Sequence, residues 1–218
     1  MNEGTAATQV LRTSELSASQ IAAAAVQALS EGKLVALPTD TVYGIAVNAS
    51  CQSAVCRLFE IKQRAADNPL PVLIADFEQA NTAARQIPPV AQHLAEYFWP
   101  GPLTLVVHKS PHISDLVTAQ QPTVGLRVPD HELTRAILRQ ADFTVAVTSA
   151  NLSGQAEAVS SRQVLTTFGG LLDLLIDDGP CPGGIPSTVL DLTVSPPQIL
   201  RDGPITRHQL EQIIGLVE

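Results

Sequence analysis

Apolar positions along this chain change period repeatedly, and the changes mark out helices alternating with strands. From about residue 19 to Glu31 they fall at helical spacing (Ile21, Ala24, Ala25, Ala28, Leu29), with Ser17 or Ser19 placed to cap the start and Gly32 to end it. Residues 33–37 then read as a buried strand that stops at Pro38. Over residues 51–62 helical spacing returns through Val55, Leu58 and Phe59, and Lys62 continues that buried stripe. A lysine there either meets an anion or carries its ammonium out to water. Residues 71–75 form a short strand, and helical patches follow near 77–85 and 88–98. The WPGP run at 99–102 is a rigid turn.

The second half continues the pattern. Residues 103–108 predict a strand. Val124, Leu126 and Val128 alternate on one strand face, which leaves Gly125 and Arg127 sharing the other. Asp130 is placed to cap a helix over 131–140, and residues 144–148 form a strand that exits into SANLSG at 149–154. A helix near 161–168, strands at 171–176, 189–192 and 198–200, and an amphipathic helix over 206–215 complete the chain. Interleaved strands and helices predict an α/β domain with a largely open sheet.

Composition narrows the function. The net charge of −8 gives no general attraction to a nucleic-acid backbone, and it makes the few cations informative. No apolar run reaches the ~18 residues of a membrane span, and the first residues carry no basic cluster, so a cytoplasmic protein is expected. Three cysteines (Cys51, Cys56, Cys181) without a CxxC pair predict neither a disulfide framework nor a zinc site; Cys51 and Cys56 read as small buried residues of a helix. The five histidines lack ligand spacing, and no metal site is expected.

The usual signatures of nucleotide and hydrolytic enzymes (GxxxxGK[ST], GxGxxG, GxSxG, HExxH) are missing. What remains is polar chemistry at strand exits, where open α/β sheets bind ligands. Thr39, Asp40 and Thr41 follow the first strand, and Ser149 and Asn151 follow the strand at 144–148. Lys62 and Arg64 flank a helix end, Arg127 interrupts an apolar strand, and Arg201 ends another. Hydroxyls and fork-shaped guanidinium groups suit carboxylate or phosphate oxygens, although each segment alone also fits ordinary turn chemistry or a solvated edge.

Taken in order, these segments resemble the YrdC-like threonylcarbamoyl-AMP synthase family. PTDTVYG at 38–44 resembles its first-strand motif, and KQR at 62–64 with NPL at 68–70 its KxR segment. WPGPLT at 99–104 is similar to a family turn, VGLRVPD at 124–130 to its AVRxPD-like strand, and SANLSG at 149–154 to its SxN motif. PSTVLD at 186–191 and ILR at 199–201 are similar to its late motifs. The resemblance covers about residues 33–206. Two positions depart from it: Ala65 stands where the family often has proline, and Leu73 near where many members place a histidine that contacts threonine. Long members carry a second C-terminal domain; this chain resembles a short form, with residues 1–18 a lead-in and 19–218 the catalytic domain.

The resemblance implies a single-domain open, twisted, mixed sheet with flanking helices. It also implies a reaction: L-threonine, bicarbonate or CO2, and ATP with Mg2+ give threonylcarbamoyl-AMP and pyrophosphate. The product is passed to a threonylcarbamoyl-transferase complex that modifies tRNA beside the anticodon, and weak tRNA binding is part of the expectation. The implied roles put Lys62 and Arg64 in catalysis, and Thr41, Arg127 and Ser187 on threonine. ATP falls to Lys62, Arg64, Asn68, Thr123, Ser149, Asn151 and Arg201. Asp40 has a turn role or meets magnesium, and Thr39 supports the first loop. The alternatives are a double-stranded RNA or tRNA-binding module without turnover, a carbamoyl-transfer enzyme of hydrogenase maturation, and a regulatory binder of ATP or threonine.

Overall fold

The computed structural model describes residues 7–65 and 67–218. Its elements in chain order are β1 (Gln9–Arg12), α1 (Ala18–Ser30), β2 (Val35–Leu37), β3 (Gly44–Asn48), α2 (Gln52–Ile61), β4 (Val72–Leu73), α3 (Ala80–Ala83), β5 (Ala84–Gln86), α4 (Pro89–Phe98), β6 (Leu103–Lys109), β7 (Thr123–Arg127), α5 (Glu132–Gln140), β8 (Val145–Ser149), α6 (Ser161–Phe168), β9 (Leu174–Asp177), β10 (Thr188–Asp191), β11 (Gln198–Arg201) and α7 (Arg207–Ile214). The strands form one mixed 11-stranded sheet in the order β1-β9-β2-β3-β8-β4-β7-β6-β10-β11, with β5 paired to β6. The open α/β architecture expected from the sequence is therefore present. No described helix is long and apolar enough to cross a membrane.

Local chemistry explains several boundaries. Ser17 caps α1 through a capping box with Gln20, and Gly32 leaves the helix at φ 75°, in the left-handed region that glycine tolerates. α5 is capped by His131, whose Nδ1 accepts from Thr134 N at 3.4 Å, and not by Asp130; the Asp130 N–H donates to Asp40 Oδ1 instead. Residues 9–12, inside the stretch expected as a loose lead-in, form β1 parallel to β9. β3 is not among the expected strands; it is buried on both faces like β2 and β8, but it follows directly on the 38–43 loop with no proline or polar break between them to mark its start. β5 replaces the end of the helical patch expected over 77–85. Cys56 is exposed and Cys51 only half-buried, which corrects their reading as core residues.

The site follows from uneven covering of the two sheet faces. On one face Ala36, Ile45, Val72, Leu126 and Ala146 pack beneath α2, α3 and α6, and Leu103, Leu105 and Leu190 pack beneath α4 and α7. On the opposite face Val35, Leu37, Ala46, Val145 and Leu174 pack beneath α1 and α5. Those two helices cover the β9-β2-β3-β8 side of the sheet. Over β7, β6 and β10 the second face stays open, and the residues there are Thr123, Gly125, Arg127, Thr104, Val106, Val189 and Asp191. The alternation that sends Val124 and Leu126 into the core sends Gly125 and Arg127 into this opening.

Candidate active site

The open half-face is the floor of a cavity of about 440 Å3, within the range of small-molecule sites. Its walls come from the loop after β2 (Thr39, Thr41), the segment after α2 (Arg64, Pro69, Leu70), the end of β8 (Ser149), the approach to β10 (Pro186, Ser187) and the end of β11 (Leu200, Arg201). Of the ten side chains expected in the site, seven line this one cavity: Thr41, Arg64, Thr123, Arg127, Ser149, Ser187 and Arg201.

Arg127 is buried, contrary to the solvated edge that an isolated strand arginine suggests. Its Nη2 donates to Asp40 Oδ1 at 2.5 Å, Nη1 to Thr41 Oγ1 at 3.0 Å, and Nε to Gly101 O at 3.0 Å. A guanidinium has five N–H donors, so two remain for a ligand. Burial lowers its pKa and the Asp40 carboxylate opposes that shift, which holds the cation in place. Asp40 is thus the partner of Arg127. Thr39 shapes the same loop: its hydroxyl donates to Val42 O at 2.7 Å, accepts from Thr41 N at 3.1 Å, and lies 2.9 Å from Thr41 Oγ1.

On the far wall Arg201 holds Ser187, donating to its carbonyl from Nε at 3.0 Å and Nη2 at 2.7 Å, and to its Oγ at 3.1 Å. Ser187 Oγ is in turn 2.7 Å from Thr104 Oγ1, a buried hydroxyl pair on the cavity floor. Burial lowers the pKa of Arg201, and the charges of Arg127 and Arg64 lower it further. Arg201 therefore feels the charges of two guanidinium groups that lie far from it in the chain and line the same cavity. Arg64 leaves α2 through Gln63, a non-glycine residue at φ 50°, and donates to Asn68 O at 3.3 Å and Pro69 O at 3.1 Å.

Three expected site residues do not line the cavity. Asn68 contributes its carbonyl to Arg64 and is exposed. Asn151 is folded into its own loop, where Nδ2 donates to Leu152 O at 3.0 Å and Gln155 O at 2.7 Å, and Oδ1 accepts from Ser149 Oγ at 2.6 Å. Lys62 is 1% exposed and lies beneath that loop, with Nζ donating to Ser149 O, to Asn151 O at 2.6 Å and to Asn151 Oδ1 at 3.4 Å. It is neither a snorkelling side chain nor a cavity cation. Burial pushes its pKa down to about 7, with the Arg64 charge adding to the effect and Glu157 opposing it; the surrounding oxygens favour the charged form.

The sequence reading missed Thr104, Gly125, Tyr43 and Asp191 on the cavity surface. Thr104 carried a usable signal, as a lone hydroxyl residue in the apolar run 103–107. Gly125 gives the floor its depth: a Cβ there would lie 3.1 Å from Thr104 Cγ2 and 3.6 Å from Pro71 Cβ. Tyr43 is tied back by its hydroxyl, which donates to Gly179 O at 2.7 Å, and burial keeps that phenol protonated.

The family profile for Sua5, YciO and YrdC, described as "Telomere recombination", matches residues 27–203. The chain is 44% identical over 187 residues to the threonylcarbamoyl-AMP synthase of Pyrococcus abyssi, covering 86% of this chain and 55% of that protein. It is 42% identical over 206 residues to the threonylcarbamoyl-AMP synthase of Bacillus subtilis, covering 93% of this chain and 59% of that one. The chain thus spans a little over half the length of these curated relatives. Its fold matches the crystal structure of P. abyssi Sua5 complexed with L-threonine at a TM-score of 0.90, with 40% identity over 97% of this chain and 62% of that one. Matching profile, matching sequences and matching fold agree: this chain belongs to the Sua5/YciO/YrdC family.

Proposed function

We propose that this chain forms threonylcarbamoyl-AMP and pyrophosphate from L-threonine, bicarbonate or CO2, and ATP. The observation that carries the reading is the convergence of Arg64, Arg127 and Arg201 with the hydroxyls of Thr41, Thr104, Thr123, Ser149 and Ser187 around one cavity. The names of its relatives support the same reading.

The chemistry suits such a site. The neutral amine of threonine adds to CO2 and gives a carbamate. A carbamate oxygen attacks the α-phosphorus of ATP, the bond to the bridging oxygen breaks, and pyrophosphate leaves. Neither step needs a protein nucleophile; both need positioned reactants and neutralised anionic charge. Arg127, held by Asp40 and Thr41, takes the threonine carboxylate with its free N–H donors. Ser187 and Thr104 form a polar pair in the same cavity, and Leu73, which also lines it near where many family members place a histidine, offers an apolar contact for the substrate methyl. Arg64, Thr123, Ser149 and Arg201 face the nucleotide. Magnesium arrives with ATP as part of that substrate. The mixed anhydride product is then consumed by a transferase complex acting on tRNA.

The test is pyrophosphate release from ATP with threonine and bicarbonate each omitted in turn. Release that requires both is the expected result. Binding of ATP and threonine without release, or release indifferent to threonine, would overturn the assignment.

A further inference from the structure

Lys62 and Arg64 are two residues apart at the end of α2, yet they point to different places. The left-handed turn at Gln63 separates them. Arg64 lines the cavity, whereas Lys62 runs beneath the loop that follows β8.

Every hydrogen-bond acceptor of Lys62 Nζ among the described residues belongs to that loop. Its three ammonium protons have three acceptors: the carbonyls of Ser149 and Asn151 and the Asn151 side-chain oxygen. The backbone of Lys62 makes a further link, because its carbonyl accepts from Ser153 N at 3.2 Å. Asn151 Oδ1 also accepts from Ser149 Oγ, so the ammonium and the cavity-lining hydroxyl share one acceptor. On its other side the loop is held by the Ala150 N–H, which donates to Tyr43 O at 2.7 Å. A buried ammonium with all three donors engaged has nothing left for an anion in the cavity.

We infer that Lys62 is a positioning residue: it fixes the 149–153 loop from below and thereby ties the Ser149 wall of the cavity to the helix end that carries Arg64. This inference rests on the nucleotide-binding reading above only for its consequence in ATP binding; the loop support itself does not depend on that reading. A cation that only organises acceptors acts through Ser149 and Arg64, not on phosphate.

The chain has three lysines, Lys33, Lys62 and Lys109, which makes a chemical test clean. Reductive methylation of the ligand-free full chain, read by peptide mass spectrometry, is expected to modify Lys33 and leave Lys62 unmodified with or without ATP. Methylation of Lys62 in the ligand-free protein, whether or not ATP protects it, would overturn the proposal. Substitution supplies the second arm. Lys62→Met is expected to speed amide exchange of Ala150 and Ser153 by roughly tenfold in the ligand-free chain, while Ala36 in β2 is unchanged. Its ATP dissociation constant should rise by roughly tenfold and that for L-threonine should stay within about twofold. Lys62→Gln, which keeps an N–H donor, should recover part of the loop protection. Unchanged loop exchange in Lys62→Met together with lost ATP binding would mean direct phosphate contact and would sink the proposal. Should Lys62→Met not fold, the labelling result on the unaltered protein still decides. Failure of the adenylate reading would be visible separately, as absence of pyrophosphate release from the unaltered chain.

Discussion

Arg127 Nη2 lies 2.5 Å from Asp40 Oδ1, and the two side chains are only 8% and 12% exposed. They are 87 positions apart in the chain, and the sheet order brings them together. Removing one member of a buried pair leaves the other charge without its partner. Asp40→Ala should therefore destabilise the fold by about 3 kcal/mol and raise the KM for threonine more than that for ATP. Urea unfolding and initial-rate kinetics check both halves; an unaltered threonine KM in a folded variant would remove Asp40 from the substrate clamp.

Arg64 is expected to behave in the opposite way. Its hydrogen bonds run to two loop carbonyls and it has no ion-pair partner closer than 4 Å among the described residues. Arg64→Ala should change stability by no more than about 0.5 kcal/mol while lowering adenylate formation by roughly 100-fold or more. Near-normal turnover would refute its phosphate role.

Gly125 offers a steric test of the cavity floor. A Cβ there already approaches Thr104 Cγ2 to 3.1 Å, so the branches of Gly125→Val would project into the cavity. Valine suits a strand but crowds Thr104, so the two effects on the thermal midpoint oppose each other, and circular dichroism first checks that the variant is folded. Binding of threonine and ATP should both weaken, with a loss of turnover of roughly 100-fold from misplaced reactants. Full activity in this variant would place the reaction elsewhere.

Lys62 predicts a pH dependence of stability. Its folded pKa is pushed down to about 7 from 10.5, by burial first and by Arg64 second, against Glu157. Below about pH 7 both the folded and unfolded forms carry the proton, and the cost of burying the charge is fully present. Between about 7 and 10.5 the unfolded chain holds more protons, so this contribution to stability rises with pH. The difference in unfolding free energy between the unaltered chain and Lys62→Met should therefore shift in favour of the unaltered chain from pH 7 to 9.5. A flat difference would mean that the three oxygens around Nζ outweigh burial and keep the lysine charged throughout.

Much of this molecule was legible before its structure. The spacing of apolar residues predicted α1, α2 and α7, helices were also expected where α4, α5 and α6 lie, and the alternation through Val124, Leu126 and Val128 correctly placed Gly125 and Arg127 on a shared face. These are local properties, written in neighbouring residues by the geometry of helix and strand. β3, which runs on from the 38–43 loop without a break, and the three-residue β5, which follows a short helix directly, carry no boundary of that kind and were not expected, although the equally buried β2 and β8 were.

The sequence by itself determined which residue types were available at strand ends and in what order. Only the tertiary structure decided which of them meet. It sent Arg64 to the cavity and Lys62, two residues earlier, beneath a loop; it gave Arg127 an acidic partner; and it made Thr104 and Ser187 one hydroxyl pair. The reason is that sheet order places strands from distant parts of the chain side by side, and one left-handed residue at a helix end redirects a side chain across the site. Neither the crossover that pairs two strands nor the burial that follows from it has a period that the chain can display along its length.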